Sequence, residues 1–208
     1  MESDVIVMTF SKRLLDIIGS IALLVLLGPF ILLTALVILV LDGRPVFYIS
    51  ERMKTPSEGF DLIKFRTMKP VAGDSGVSGG DKTDRITRTG PFLRRTRVDE
   101  LPQLWNVLRG DISFIGPRPP LRQYVERFPE LYAQVLKSRP GVSGLASIYF
   151  HAHEEHLLAR SRSREETDEI YCRACIPRKA RLDLIYQANR NLCVDIALML
   201  KTVFKRLR

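Results

Sequence analysis

Ile17-Ile18-Gly19-Ser20-Ile21-Ala22-Leu23-Leu24-Val25-Leu26-Leu27-Gly28-Pro29-Phe30-Ile31-Leu32-Leu33-Thr34-Ala35-Leu36-Val37-Ile38-Leu39-Val40-Leu41 is a run of 25 residues without a formal charge. As a straight helix it would be roughly 37 Å long, against a bilayer hydrocarbon core of about 30 Å. Pro29 lacks an amide donor and its ring crowds the carbonyl of Val25, so a kink or break is expected at Gly28-Pro29. Each half would then be about 18 Å, too short to cross alone. Two geometries follow: a kinked spanning helix, or a re-entrant hairpin that enters and leaves on one face. Lys12 and Arg13 precede the run and Arg44, Arg52 and Lys54 follow it. Placing both basic flanks in the cytoplasm favours the re-entrant form. Backbone groups freed at a break need partners at membrane depth, and Ser20 and Thr34 are candidates. A signal anchor carrying an exported domain is the other reading; no A-x-A-like cleavage site follows the run.

The 208-residue chain is 46% hydrophobic, which excludes disorder, and its three cysteines exclude a disulfide scaffold. The formal charge is +9. Residues 1–41 carry Lys12 and Arg13 against Glu2, Asp4 and Asp16, so residues 42–208 hold a net +10. A basic domain on an apolar tether fits an anionic partner: lipid headgroups, nucleic acid or phosphorylated substrates.

Pro45 to Ile49 and Phe60 to Phe65 read as short strands around a turn at Pro56-Ser57-Glu58-Gly59. Val71 to Asp84, with four glycines, reads as a mobile loop. Helical segments are expected after Thr89-Gly90-Pro91, ending at Gly110, and over Leu121–Leu136, Glu154–Tyr171 and Arg178–Arg208. The last segment places Leu192, Ile196, Leu200, Val203 and Leu207 near one face, fringed by Lys201, Lys205, Arg206 and Arg208, the pattern of an interfacial amphipathic helix.

Chemistry concentrates between residues 64 and 118. Arg85, Arg88, Arg94, Arg95 and Arg97 put five guanidinium forks into 13 residues, a pattern that suits a diphosphate. Asp99-Glu100 follows directly. Beside so many arginines these carboxylates are expected to stay ionised, fit to act as a nucleophile and as hard oxygen ligands for Mg²⁺. Arg118 stands between Pro117 and Pro119, held on a stiff backbone. Cys172 and Cys175 form a C-x-x-C, and His151, His153 and His156 lie nearby. Without a second C-x-x-C or an H-E-x-x-H, ordinary buried thiols and surface imidazoles are the favoured reading, with a structural zinc site the minor one.

Lys64-Phe65-Arg66-Thr67-Met68, Asp84-Arg85-Ile86-Thr87-Arg88, Arg97 to Leu108 (RVDELPQLWNVL), Gly110 to Pro119 (GDISFIGPRP) and Arg139-Pro140-Gly141-Val142-Ser143-Gly144 stand in this order. In these motifs the chain resembles the monotopic polyprenyl-phosphate phosphoglycosyl transferases, bacterial enzymes that begin surface-glycan assembly. The resemblance runs from about Ser11 to the C-terminus. It implies an α/β fold: a small mixed, helix-rich globular domain with short strands, interfacial amphipathic helices and an N-terminal re-entrant membrane helix. Residues 1–43 would form that membrane segment, broken near Gly28-Pro29, and residues 44–208 the catalytic domain at the cytoplasmic face of the inner membrane. It also implies transfer of a sugar phosphate from a UDP-sugar to undecaprenyl phosphate with release of UMP. Asp99 would be the nucleophile that forms a covalent phosphosugar intermediate, Glu100 its assistant, and Mg²⁺ would bridge Asp99, with Glu100, to the diphosphate. Arg94 and Arg118 match phosphate-site arginines, and Lys64, Arg66, Arg85, Arg88, Arg95 and Arg139 complete the expected substrate-binding set. Where the family runs Gly-Trp-Ala-Gln-Val-Asn-Gly-Arg, this chain has Gly144-Leu145-Ala146-Ser147-Ile148-Tyr149-Phe150-His151, which leaves the sugar open. A membrane-tethered basic module that binds nucleic acid or anionic lipid without catalysis is the alternative. No nucleic-acid motif supports it, and aromatic residues are only 8% of the chain. A homodimer is compatible with the chain, although no heptad or self-complementary patch argues for one.

Overall fold

The computed structural model describes residues 9–71 and 76–206. Residues 72–75 of the glycine-rich segment, and Leu207 and Arg208 of the expected interfacial face, lie outside the described residues, as do the side chains of Lys205 and Arg206.

The apolar run forms one helix, α1 (Phe10–Leu41), with Pro29 inside it. The expected break at Gly28-Pro29 does not end the helix. Proline deletes a single amide donor, and the leucine-rich runs on either side favour helix. Ser20 and Thr34 hydroxyls donate to carbonyls one turn back, on Asp16 at 2.6 Å and Phe30 at 2.8 Å. Both ends of α1 are tied to the body of the protein. Near the start, Lys12 donates to the Ile115 carbonyl at 2.9 Å and pairs with Asp195 at 2.7 Å, and Arg13 donates to the carbonyls of Val107 and Leu108. Asp16 accepts from the Ser113 hydroxyl and the Phe114 amide. At the far end, Ile38 is fully buried against Phe65 and Leu93, and Asp42 accepts from the backbone of Arg88 and Thr89 and from the Thr89 hydroxyl. Between these anchors residues 21–33 include no buried side chain, and Val25 and Leu32 are 76% and 73% exposed.

After α1 the chain forms an antiparallel hairpin, β1 (Phe47–Met53) with β2 (Gly59–Phe65), in which Phe47 faces Phe65 and Met53 faces Gly59. The first strand runs four residues beyond its expected end because its partner continues to pair with it. The Thr55 hydroxyl accepts from the amides of Ser57 and Glu58 and closes the turn. Next come α2 (Gly90–Thr96), opened by Pro91, and α3 (Gln103–Arg109), stopped by Gly110 at φ +87°. Asn106 is fully buried. Its amide donates to the Asp61 carbonyl and to Asp111, and its oxygen accepts from the Ile63 amide, so α3 is bonded to β2.

A second, parallel pair joins β3 (Ser113–Ile115) to β4 (Gly141–Ser143), and no local sequence pattern announces it. The expected long helices are each divided. Pro129 starts a new helix, so Leu121–Leu136 becomes α4 (Arg122–Arg127) and α5 (Pro129–Val135). Beyond α6 (Leu145–Tyr149), α7 (His151–Leu158) and α8 (Arg164–Ile170) are separated at Ser161–Ser163, where the Ser163 hydroxyl accepts from the Glu166 amide. A π-helical turn, Tyr171–Cys175, leads into α9 (Ile176–Asn189). Asn191 then accepts from the Val194 amide and starts α10 (Leu192–Arg206). The largest core cluster lies between the hairpin end and α4–α9, around Met53, Tyr124, Leu136, Phe150, Tyr171 and Cys175. On α10, Leu192, Ile196, Leu200, Val203 and Phe204 are exposed while Asp195 and Leu198 are buried. The fold is therefore mixed and helix-rich, with two separate two-stranded sheets among the described residues.

Candidate active site

A cleft of ≈ 620 Å³ opens between β2, the segment 76–85, the turn before α3, and helices α7 and α9. Arg97 closes α2 in the left-handed region at φ 59°, costly for a residue with a side chain. This reversal starts the 3₁₀ turn Val98–Glu100 and carries both carboxylates into the cleft, where Asp99 is 8% and Glu100 5% exposed.

Their surroundings differ. Glu100 Oε1 is met by Arg118 at 3.2 Å, Arg97 at 3.3 Å and Lys64 at 3.5 Å. Asp99 Oδ1 is buried and has no hydrogen-bond partner among the described residues. Burial, and then the charge of Glu100, push Asp99 above the usual carboxylate range against the pull of Lys64, Arg97 and Arg118. This corrects the expectation that neighbouring arginines alone would govern its ionisation: inside a cleft desolvation acts on the carboxylate first. Burial and Arg118 also lower Lys64 to about 8.

The structure brings only some of the expected site residues together. Lys64, Arg66, Arg85, Arg94, Asp99, Glu100 and Arg118 line the cleft. Arg94 donates through Nε to Thr67. Arg66 and Arg85 spend hydrogen bonds on backbone: Arg66 on the carbonyls of Asp42 and Gly43 at the end of α1, Arg85 on that of Lys69. Arg88 and Arg95 are exposed and outside the cleft wall, consecutive positions on a short helix pointing in different directions. Arg139 is also outside it, with its guanidinium beside Gly110 and Arg13.

Sequence reasoning left out other cleft residues. Arg52, counted as a membrane flank, lines the cleft and is lowered to about 10 by burial. Arg97 belonged to the arginine cluster but not to the expected site. His151, expected to be a surface imidazole, lines the cleft, and burial with Arg97 and Arg118 pushes it down to about 3. His153 and His156 are exposed; Cys172 and Cys175 are buried thiols, whereas Cys193 is exposed. Among the described residues no three His, Cys, Asp or Glu side chains gather into a metal-holding group. Magnesium asks less of the protein: one or two carboxylates, with substrate phosphates and water completing the shell. The partnerless Asp99 Oδ1 fits that demand. Glu100, surrounded by three cations, fits the role of holding Lys64, Arg97 and Arg118 in place.

Deeper in the cleft, Glu154, Lys179 and Asp183 form a second polar group. Lys179 donates to Glu154 at 2.8 Å and to the Tyr171 hydroxyl at 3.2 Å. Burial raises Asp183 to about 7, with Lys179 lowering it and Glu154 raising it. A raised carboxyl binds its proton more tightly in the folded chain, so stability is lost as pH climbs from 3.8 through about 7. Asp183→Asn is expected to remove that slope, so that the variant melts a few degrees above the parent at pH 8 and by a clearly smaller margin at pH 5. Equal melting at pH 8 would refute this. The i,i+4 spacing of Lys179 and Asp183 was the available sequence signal.

The profile of the bacterial sugar transferase family matches residues 7–208. The chain is 37% identical over 209 residues to the exopolysaccharide production protein PSS of Rhizobium leguminosarum bv. phaseoli, with 94% of each chain covered. It is 33% identical over 198 residues to the UDP-glucose:undecaprenyl-phosphate glucose-1-phosphate transferase of Klebsiella pneumoniae, covering 93% of this chain and 39% of that one. It is 32% identical over 200 residues to a UDP-N-acetylgalactosamine-undecaprenyl-phosphate N-acetylgalactosaminephosphotransferase of Aeromonas hydrophila, covering 93% and 43%. The chain thus spans less than half the length of the last two relatives.

Proposed function

Because the chain belongs to the bacterial sugar transferase family, we propose that it transfers a sugar phosphate from a UDP-sugar to undecaprenyl phosphate and releases UMP. One observation carries this reading: a buried, partnerless carboxylate oxygen of Asp99 stands beside Lys64, Arg97 and Arg118 in one cleft. A passive polyanion-binding surface gains nothing from two carboxylates at its centre, since they repel the ligand.

In the first half-reaction Asp99 Oδ1 attacks the β-phosphorus of the UDP-sugar. The Asp99 O–P bond forms as the bond to the bridging oxygen breaks, and UMP departs with that electron pair. An oxygen of undecaprenyl phosphate then attacks the same phosphorus and displaces Asp99 as carboxylate, leaving a polyprenyl diphosphate sugar. Arg94, Arg97, Arg118 and Lys64 offset the mutual repulsion of the anionic reactants, while Glu100 fixes three of these cations. Mg²⁺ held at Asp99 would neutralise diphosphate charge when bound. One phosphate site serves both steps in turn.

The acceptor is a lipid, so the cleft works at headgroup depth. Among the described residues α1 is the helix long and apolar enough to enter a membrane. Its two ends bond to the same body, which supports entry and exit on one face, at the cytoplasmic side of the inner membrane. The exposed apolar face of α10 would rest in the interface. The test supplies UDP-sugars, which do not cross bilayers, to sealed vesicles holding the protein, Mg²⁺ and undecaprenyl phosphate. Release of UMP by inverted but not right-side-out vesicles is expected. Release only by right-side-out vesicles would reverse the topology, and none from either would remove the transferase reading.

A further inference from the structure

The Glu154–Lys179–Asp183 group has no part in the phosphoryl transfer described above, yet it lines the same cleft. Lys179 is already neutralised by Glu154 at 2.8 Å. Asp183 is therefore a surplus carboxyl. It is 6% exposed, and its Oδ1 is buried without a hydrogen-bond partner among the described residues. A second buried carboxyl beside a satisfied ion pair is a cost to the fold, and a buried acceptor left unpaired calls for a partner supplied from outside. The neighbouring cleft wall is of the other kind: the rings of Tyr132 and Tyr171, with Val135, Ile176 and Ala180. Apolar and aromatic faces with a few placed polar groups are the chemistry of a small-molecule subsite. A polyhydroxylated ring matches both parts, since its C–H faces pack on aromatic rings and its hydroxyls donate to carboxylates.

Both groups line one cleft, and Arg118, which donates to Glu100, also feels the charge of Glu154. In a sugar nucleotide the ring is bonded directly to the phosphate that Asp99 attacks. Resting on the transferase reading, we infer that Asp183, with Glu154 and Lys179 holding its surroundings, forms the subsite for the hydroxyls of the transferred sugar and sets which UDP-sugar is used. This site lies outside Gly144 to His151, the stretch in which the chain departs from the family pattern.

The test compares the full chain and Asp183→Asn in nanodiscs, measuring kcat/KM for UDP-glucose, UDP-galactose, UDP-N-acetylglucosamine and UDP-N-acetylgalactosamine, together with inhibition by UMP. UMP contains the nucleoside and a phosphate but no transferred sugar. The variant is expected to lose about tenfold to a hundredfold in kcat/KM for the parent's preferred donor, to lose most of the ratio between the two epimers of each pair, and to keep the UMP inhibition constant within about twofold. Unchanged UMP inhibition also shows that the variant is folded. An unchanged donor preference overturns the inference and leaves the transferase reading standing. A parallel loss of UMP affinity overturns it in favour of a ribose site. Failure of the parent to use any of the four donors overturns the reading and the inference together.

Discussion

Asp99→Asn is expected to lower UMP release by roughly four orders of magnitude, the scale on which loss of an essential catalytic group acts. The amide keeps the shape of the side chain, and among the described groups no hydrogen bond to Oδ1 is lost, because that oxygen has none. The membrane-bound fraction should therefore stay at the parental value and the melting temperature at or above it, since burial raises the Asp99 carboxyl and the amide carries no charge, which separates a chemical defect from a folding one. The parent incubated with UDP-sugar and no polyprenyl phosphate should acquire one phosphosugar per chain, measured as intact mass, and the variant none. An Asp99→Asn protein that turns over within about tenfold of the parent would sink the covalent mechanism.

The second large effect concerns backbone packing. A Cβ on Gly116 would lie 2.2 Å from the carbonyl oxygen of Arg139 and 2.9 Å from the amide nitrogen of Gly141. Gly141 and Gly144 face back with equal closeness, at 2.2 Å from the Gly116 nitrogen and oxygen. All these neighbours are main chain, so no side chain can turn aside. Gly116→Ala must separate β3 from β4, straining bonds from the Gly116 amide to the Ser143 carbonyl and from the Gly141 amide to the Pro117 carbonyl. It also shifts Arg118, two residues on, away from Glu100. A destabilisation above about 4 kcal/mol is expected, read as loss of cooperative melting in detergent. Gly28→Ala is the control: no heavy atom stands within 4 Å of its added Cβ, and parental melting is expected. Parental melting of Gly116→Ala would show that the strands can part without cost.

This packing also explains the spacing of two motifs. Gly110 to Pro119 and Arg139 to Gly144 read as separate turns along the chain, and each is locally unremarkable as proline–glycine punctuation. Their glycines are required by one another, since the two backbones approach too closely for any side chain. Such a contact is invisible to periodicity or propensity, which report only on neighbours within a turn or two.

The same division runs through the site. The order of basic and acidic residues singled out Arg94, Asp99, Glu100 and Arg118, because a diphosphate demands charges, while Lys64 came only with the family resemblance; all five line one cleft. The chain alone could not separate Arg94 from Arg95, or Arg85 from Arg88: neighbours on a short helix or turn leave it in different directions, and only the packing of α2 decides which faces the cleft. It could not place His151, Glu154, Lys179 or Asp183 there either, since α9 is positioned by packing on α5 and α6, and α7 by packing on α6, α8 and the π-helical turn. Nor did it show which carboxylate is bare. Asp99 and Glu100 are adjacent, but the three cations that converge on Glu100 come from β2, the left-handed turn at Arg97 and the segment after β3.

By itself, then, the sequence determined the local and additive properties: an apolar helix long enough to enter a bilayer, a basic remainder, the β1–β2 hairpin with its turn, and the helix stop at Gly110. Those follow from hydrophobic burial and backbone sterics within a few residues. Tertiary structure decided where both ends of α1 dock, which arginines serve the cleft, and how β3 and β4 meet. It also decided which oxygen was left without a partner. Each of these depends on desolvation and close approach between distant segments, energies that exist only once the chain has closed on itself.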